Sequence, residues 1–363
     1  MEKKLKHESG LSRRAVLKTA VAGAAALALP AAWTKARAAN KRIVVRDDGG
    51  IYTKAYGAVF YRPFTEKTGI EVVGVQANAE PTAQIKSMVE TGSYTWDMAK
   101  ISQTAILILT RPGKVYLEKH GLESDPVIAK IPHEFMSAYG VGNNVFSTVL
   151  AYRKSAFKGR KEPASWADLW NVKEFPGRRA LRKYPFDTIE EALMADGVPT
   201  AKVYPCDLNR AFASLDKISK HVDVWWTSGS QVEQMLGSGE VDMVGTWVSR
   251  AQSAIANGAD IGIVWKQNIW SCDNWAILKG TPNADACREF IKFASDPKRQ
   301  ASLVKYFPAG LTQPSAFDYV KPDVARNCPT FPANMKDGVH VDAQYWLDHQ
   351  SEALERFNRW ILT

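Results

Sequence analysis

"KRIVVRDDGGIYTKAYGAVFYRPFTEKTGIEVVGV", residues 41–75, decides the fold. Ile43-Val44-Val45 is a short β-branched run that ends at a Gly-Gly turn, a helical stretch then leads through Phe64, and Ile70–Val75 resumes strand character. Gly69 stands where a helix needs a left-handed residue to stop, which glycine adopts at no steric cost. The stretch therefore reads as strand–helix–strand.

The same unit recurs outward from it. A helix over Pro81–Glu90 closes at Thr91-Gly92, and "TWDMAKIS" (95–102) reads as a buried strand. After a long β-rich run, "NVFSTVLAYRKSAF" (144–157), a second βα series begins with a helix at "ASWADLW" (164–170), where Ser165 and Asp168 form a variant capping box. "RRALR" (178–182) is a strand, as are 222–226, 241–246, 261–265 and 274–280; helices fall at 229–236, 249–257, 284–296 and 352–362. Alternating strands and helices predict mostly parallel sheet covered on both faces. With 363 residues and 45% hydrophobic content, the chain exceeds what one core holds, so two α/β lobes are expected. Long β segments at 144–153 and 270–278 are the expected crossings, with a cleft for a small ligand between the lobes.

Charge and cysteines narrow the function. The net charge is +9, but eight of the 47 basic and only two of the 38 acidic residues lie in residues 1–38, which leaves about +3 for the rest. That balance removes the support for a nucleic-acid partner. Residues 1–38 have a basic head, an Ala/Leu run and Ala36-Arg37-Ala38 as a small-x-small cleavage site, the layout of an export signal. Ser12-Arg13-Arg14-Ala15-Val16-Leu17-Lys18 matches the twin-arginine pattern. A periplasmic location follows as an expectation. Cys206, Cys272, Cys287 and Cys328 have no metal or redox spacing; an oxidising compartment permits disulfides, but their pairing is not readable. His120, His133, His221, His340 and His349 lie at no metal-ligand spacing, and HExxH, GxSxG and Walker patterns are absent. No cofactor is expected, and an exported hydrolase is the remote alternative.

Four stretches, "FTEKTGIEV" (64–72), "SWADLW" (165–170), "GEVDMVGTW" (239–247) and "DNWAIL" (273–278), stand in an order and at separations that resemble the periplasmic solute-binding proteins of the spermidine/putrescine class of ABC importers, among the family 1 extracellular solute-binding proteins. The resemblance implies a type II periplasmic-binding-protein fold, an α/β architecture of two lobes with crossing hinge strands. Lobe 1 would comprise 40–143 and 271–318, and lobe 2 144–270 and 319–363. It implies a monomeric receptor that performs no chemistry, captures a polyamine-like or other amine-bearing solute, and delivers it to permease subunits with a cytoplasmic ATPase.

Site residues are carried over position by position. Asp273 aligns with a carboxylate that binds an amine in the family, and Trp247 with a tryptophan that packs on the ligand. Tyr52 matches an aromatic residue on the first βα loop, and Ser102 and Gln103 lie on another loop facing the cleft. Asp187 falls near a second family carboxylate, though an N-cap role suits it equally. Trp270 and Trp275 are assigned to packing. Departures are visible: Gly49-Gly50 replaces a tryptophan, Tyr184 stands where a carboxylate is expected, Leu311 where a tyrosine is, and Arg182 and Lys183 flank the amine site. These motivate an alternative, a zwitterionic or organic-acid solute held by Arg182 and the helix start at Ser228-Gly229-Ser230, whose free N–H groups favour anions.

Overall fold

The computed structural model describes residues 42–76 and 81–362, so the export-signal reading at 1–38 lies outside the described residues. Eleven strands make one sheet: β1 Arg42–Asp47, β2 Glu71–Gln76, β3 Met98–Ser102, β4 Leu117–Glu118, β5 Met136–Ser137, β6 Gly140–Arg153, β7 Arg179–Arg182, β8 Val224–Trp226, β9 Met243–Trp247, β10 Ile261–Leu278 and β11 Val339–His340. The main order is β2-β1-β3-β10-β6-β9-β7-β8. β1 runs parallel to β2 and β3, and β7 runs parallel to β8 and β9. Between these parallel sections, β6 and β10 pair antiparallel with each other and with β9 and β3 respectively.

Local chemistry explains most boundaries. The helical stretch after β1 runs as Ile51–Tyr56, a π-turn at Gly57–Tyr61, and Arg62–Thr68, and it stops at Gly69 with φ 75°. Gly92 closes Thr82–Thr91 in the same left-handed way. Asp168 reaches back to the Ala164 N–H at 2.8 Å and the Ser165 hydroxyl at 3.1 Å, so the capping box forms through its acid half.

Three readings of the sequence need correction. The sheet is not mostly parallel: β10 pairs antiparallel with β3, β4 and β6, and β6 with β5 and β9, because the two long strands run between the parallel sections. The strands expected at 261–265 and 274–280 are one strand, β10, because the residues between them stay extended apart from a register shift between Val264 and Ile269. Gln267 absorbs that shift at φ 61°, and its carbonyl accepts the Trp166 indole N–H at 2.8 Å. The last helix is also longer than 352–362: it spans Ala343–Trp360 and is capped by Asp342, which accepts the Tyr345 N–H at 2.9 Å.

Apolar residues from 43–145 and 270–316 form two clusters, and those from 150–269 and 339–357 form two others. β6 and β10 thread both groups, which is why residues 40–363 hold together as one compact unit. In the first group Trp275 and Phe64 pack edge-on against Phe290 at 5.6 and 5.4 Å, and Tyr56 packs on Trp275 at 5.4 Å. Trp270, also assigned to packing, stacks on His340 at 3.9 Å. In the second group Glu190 lies fully buried among Tyr204, Trp346 and the nearby Asp187; the Trp346 indole donates to it at 2.8 Å and the Tyr204 hydroxyl also bonds it. The four cysteines are buried as free thiols, and burial pushes the Cys272 thiol well above its usual range. None of the disulfides that the compartment would permit is formed.

Two outcomes follow from these cores. Phe290→Ala empties a site with no solvent exposure and should cost about 3–5 kcal/mol in urea unfolding. Burial, with the charge of Asp187 adding to it, pushes the Glu190 carboxyl up to about 7. The folded state thus holds a proton that the unfolded chain releases near 4.5, and stability falls as pH rises from about 4.5 to about 7. Glu190→Gln should remove that part of the slope, on the order of 3 kcal/mol across the window, measured by urea unfolding at a series of pH values.

Candidate functional site

Two groups of charged and aromatic side chains sit where the parallel sections meet β6 and β10. The first is built on β1, β3 and β10. Asp273 lies opposite Ser102 and Trp275 opposite Lys100 in an antiparallel pairing, so all four side chains share one face of the sheet. The Lys100 ammonium contacts the carboxylates of both Asp273 and Asp48, and it stands 5.0 Å from the centre of the Tyr52 ring. Burial alone would lower the Lys100 pKa, yet Asp273 and Asp48 outweigh it and hold the ammonium well above the usual lysine range. Arg46 braces the arrangement by donating to the Lys100 carbonyl at 2.7 Å and to Asp48 at 3.1 Å. Tyr52 packs edge-on against Phe307 at 5.1 Å. It reaches this place because the chain turns at Gly49, at φ 78°, where an added Cβ would run into the Gln76 side chain. Of the two glycines that replace the family tryptophan, Gly49 has no room for a side chain, while Gly50 faces open space at φ 56°, a conformation that disfavours one.

The second group stands at the ends of β7 and β9. The Arg182 guanidinium lies 4.8 Å from the ring centres of both Tyr184 and Trp247 and 5.8 Å from that of Trp226. Trp226 in turn packs edge-on against Trp247 at 5.4 Å. Asp187 takes one guanidinium nitrogen at 2.9 Å; no other acceptor among the described residues bonds this side chain. Asp187 itself sits at φ 70°, a conformation that costs a non-glycine residue on the order of 1–3 kcal/mol unless its surroundings hold it. The Arg182 pair and the Thr188 hydroxyl, which donates to the Arg182 carbonyl at 3.1 Å, supply that hold. The N-cap alternative for Asp187 is not realised: its carboxylate bonds Arg182 and not a helix N–H. Behind it, Glu191 is buried with neither carboxylate oxygen hydrogen-bonded among the described residues, and burial raises its pKa well above the carboxylate range.

Ser228 caps Gly229–Ser238, accepting the Gln231 N–H at 3.3 Å, and lies exposed beside Ser230 at 3.1 Å. A Cβ on Gly229 would stand 2.5 Å from Nε of Arg250, so glycine at the first turn lets that guanidinium lie against the helix start. Arg250 also pairs with Glu233 at 3.2 Å.

Gln103 goes elsewhere. Its amide donates to the Glu134 carbonyl at 2.7 Å and meets Nε2 of His340 at 3.1 Å, in a cavity of about 710 Å³ that Asn274 also lines. Asn274 follows Asp273 along β10 and therefore faces the other side of the sheet. Ser102 caps Gln103–Leu109 by accepting the Ala105 N–H at 3.1 Å. Of the residues named from the sequence, Asp273, Tyr52 and Ser102 share the first group, and Trp247, Arg182, Tyr184 and Asp187 share the second. Lys100, Asp48 and Arg250 were not foreseen. A lysine inside "TWDMAKIS", a strand read as buried, was the available signal, since such a charge needs a buried partner. Among the described residues no group of three or more His, Cys, Asp or Glu side chains could hold a metal ion, and no helix is long and apolar enough to cross a membrane.

Residues 60–332 match the family model described as bacterial extracellular solute-binding protein. The gamma-aminobutyric acid-binding protein of Pseudomonas aeruginosa is 35% identical over 330 residues, 90% of this chain and 92% of its own. An ABC transporter substrate-binding protein from Bradyrhizobium japonicum superimposes with a TM-score of 0.82 at 35% identity, over 88% of this chain and 99% of its own. The solved Atu4243-GABA receptor gives a TM-score of 0.78 at 30% identity, over 88% and 98% of the two chains. Two parallel sections joined by long crossing strands, with paired charges at the junction, are thus the periplasmic-binding-protein fold, and the chain belongs to the bacterial extracellular solute-binding proteins as the substrate-binding component of an ABC importer, a receptor and not an enzyme.

Proposed function

We propose that the solute is a small zwitterion with a carboxylate and an ammonium on a short chain, the chemistry of γ-aminobutyrate. The observation that carries this reading is the Arg182 guanidinium held between Tyr184 and Trp247. Those are the aromatic faces that a polyamine would use, and a cation already covers them. Like charges 4 Å apart repel by about 4 kcal/mol at the effective dielectric of such sites, so a diamine is disfavoured there. Asp187 occupies one guanidinium nitrogen, and the remaining N–H donors suit a solute carboxylate, whose charge-assisted bonds are about twice as strong as neutral ones. The exposed start of Gly229–Ser238 and Arg250 add positive potential on the same side. A solute ammonium then meets the carboxylate lone pairs of Asp273 and Asp48 that Lys100 and Arg46 leave free. The names of the Pseudomonas relative and of the GABA receptor agree with this choice.

Capture follows from closure of two lobes, 40–143 with 271–318 and 144–270 with 319–363, about β6 and β10. The separation of the apolar clusters near these limits supports the division. A solute that touches Arg182 from one lobe and Asp273 from the other gains both contacts only in the shut form, and that differential affinity drives closure. The receptor acts as a monomer in the periplasm, exported by the twin-arginine route and read by its permease when closed.

Titration calorimetry on the purified protein tests the solute. γ-Aminobutyrate should bind one per chain; Arg182→Gln should weaken it about 100-fold and Asp273→Asn more than tenfold, each decade being about 1.4 kcal/mol. Tighter binding of putrescine than of γ-aminobutyrate by the unsubstituted protein, or an Arg182→Gln variant of undiminished affinity, overturns the reading. Replacing Arg13 and Arg14 together by lysine should keep the protein in the cytoplasmic fraction, while delivery to the periplasm regardless would refute the twin-arginine route.

A further inference from the structure

Two carboxylates and an aromatic face converging on one point form a receptor for an ammonium group. Asp48, Asp273 and Tyr52 make such a receptor, and its occupant belongs to the chain itself. Lys100 is 3% exposed, its ammonium touches both carboxylates, and the Tyr52 ring lies 5.0 Å away. Its strand is fixed in register against β10 by the pairings Trp275 with Lys100 and Asp273 with Ser102. Its carbonyl is held by Arg46. Tethered in this way, the side chain competes for the carboxylates at a high effective concentration, which a free amine at ordinary solute levels does not match.

We propose that Lys100 sets solute specificity: its ammonium fills the place that one end of a diamine would take, leaving on Asp273 and Asp48 acceptor capacity for a single solute ammonium. This inference rests on the zwitterion reading and deepens it. With Lys100 in place, Asp48 and Asp273 are balanced by Lys100 and Arg46, and a single solute ammonium, whose own carboxylate goes to Arg182, takes the carboxylate lone pairs that those two cations leave free. Without it the same corner, with Arg46 still on Asp48, carries a net charge of one minus and an empty space the size of a butylammonium. The site would then take a diamine with one end in the vacated space. Removing Asp48 instead would leave Lys100 and Arg46 against Asp273 alone, a net charge of one plus, and a second solute carboxylate would be tolerated where the ammonium had been required.

The test compares the unsubstituted protein, Lys100→Ala and Asp48→Asn in calorimetry against γ-aminobutyrate, putrescine and glutarate, with circular dichroism to confirm folding. Lys100→Ala should bind putrescine at least tenfold more tightly than the unsubstituted protein does, and n-butylamine should raise its Tm while leaving that of the unsubstituted protein unmoved. Asp48→Asn should shift the ratio of glutarate to γ-aminobutyrate affinity at least tenfold toward the diacid. A folded Lys100→Ala whose putrescine affinity is unchanged overturns the inference. If Lys100→Ala does not fold, an unchanged ratio in Asp48→Asn overturns it equally. The two readings fail separately: an unsubstituted protein that ignores γ-aminobutyrate, beside a Lys100→Ala that gains putrescine, removes the zwitterion and keeps the role of Lys100, whereas the opposite pair of results removes only Lys100.

Discussion

Everything in this molecule depends on the antiparallel pairing of β6 with β10. Each strand is long enough to serve two cores, and backbone hydrogen bonds between them fix the registers of β3 and β9 on their outer edges. Asp273 meets Ser102 and Lys100 for that reason, and Trp247 ends up beside Thr148 at the other end of the same ladder. A single-residue slip would turn Asp273 to the opposite face of the sheet, where Gln103 and His340 lie, and bring Asn274 into its place beside Lys100. The Gln267 irregularity lets one strand bend between two differently twisted sections without giving up the pairing beyond it.

On that frame, the charges at the junction follow one rule: each cation is already housed. Arg182 has aromatic faces and Asp187, Lys100 has two carboxylates and Tyr52, and Arg250 has Glu233 and the Gly229 helix start. Buried charges without partners cost several kcal/mol each, so the receptor compensates its own charges before any solute arrives. On the proposed reading, what remains for a solute is the unused hydrogen-bonding capacity on either side, a donor set at Arg182 and an acceptor set at Asp48 and Asp273. Specificity then comes from what has been filled in advance as much as from what is left open.

Much of the fold was legible locally. Gly69 and Gly92 close helices at left-handed angles because the chain must reverse there, and the β-branched runs of β1 and β2 pair as adjacent parallel strands. Trp275, assigned to packing, does pack, against Tyr56 and Phe290. Asp273, Tyr52, Trp247, Arg182, Tyr184 and Asp187 were named from the sequence and stand at the junction. Gln103 follows Ser102 directly, yet its amide turns to Glu134 and His340, since the first turn of a helix points successive side chains in different directions. The continuity of β10 was missed because the polar run Lys266, Gln267 and Asn268 interrupts its apolar pattern, and the irregularity at Gln267 went unmarked because that residue is neither glycine nor proline.

The sequence by itself determined the alternation of strands and helices, the surplus of charge in the first 38 residues, and the residue types available for a site, because these are properties of neighbours along the chain. Only the tertiary structure decided which charges neutralise which. Lys100 and Asp273 are 173 positions apart, and Asp48 lies 52 positions from Lys100. Pairings of that range are set by strand register, which is settled by backbone hydrogen bonds and core packing across the whole sheet. No local pattern encodes them.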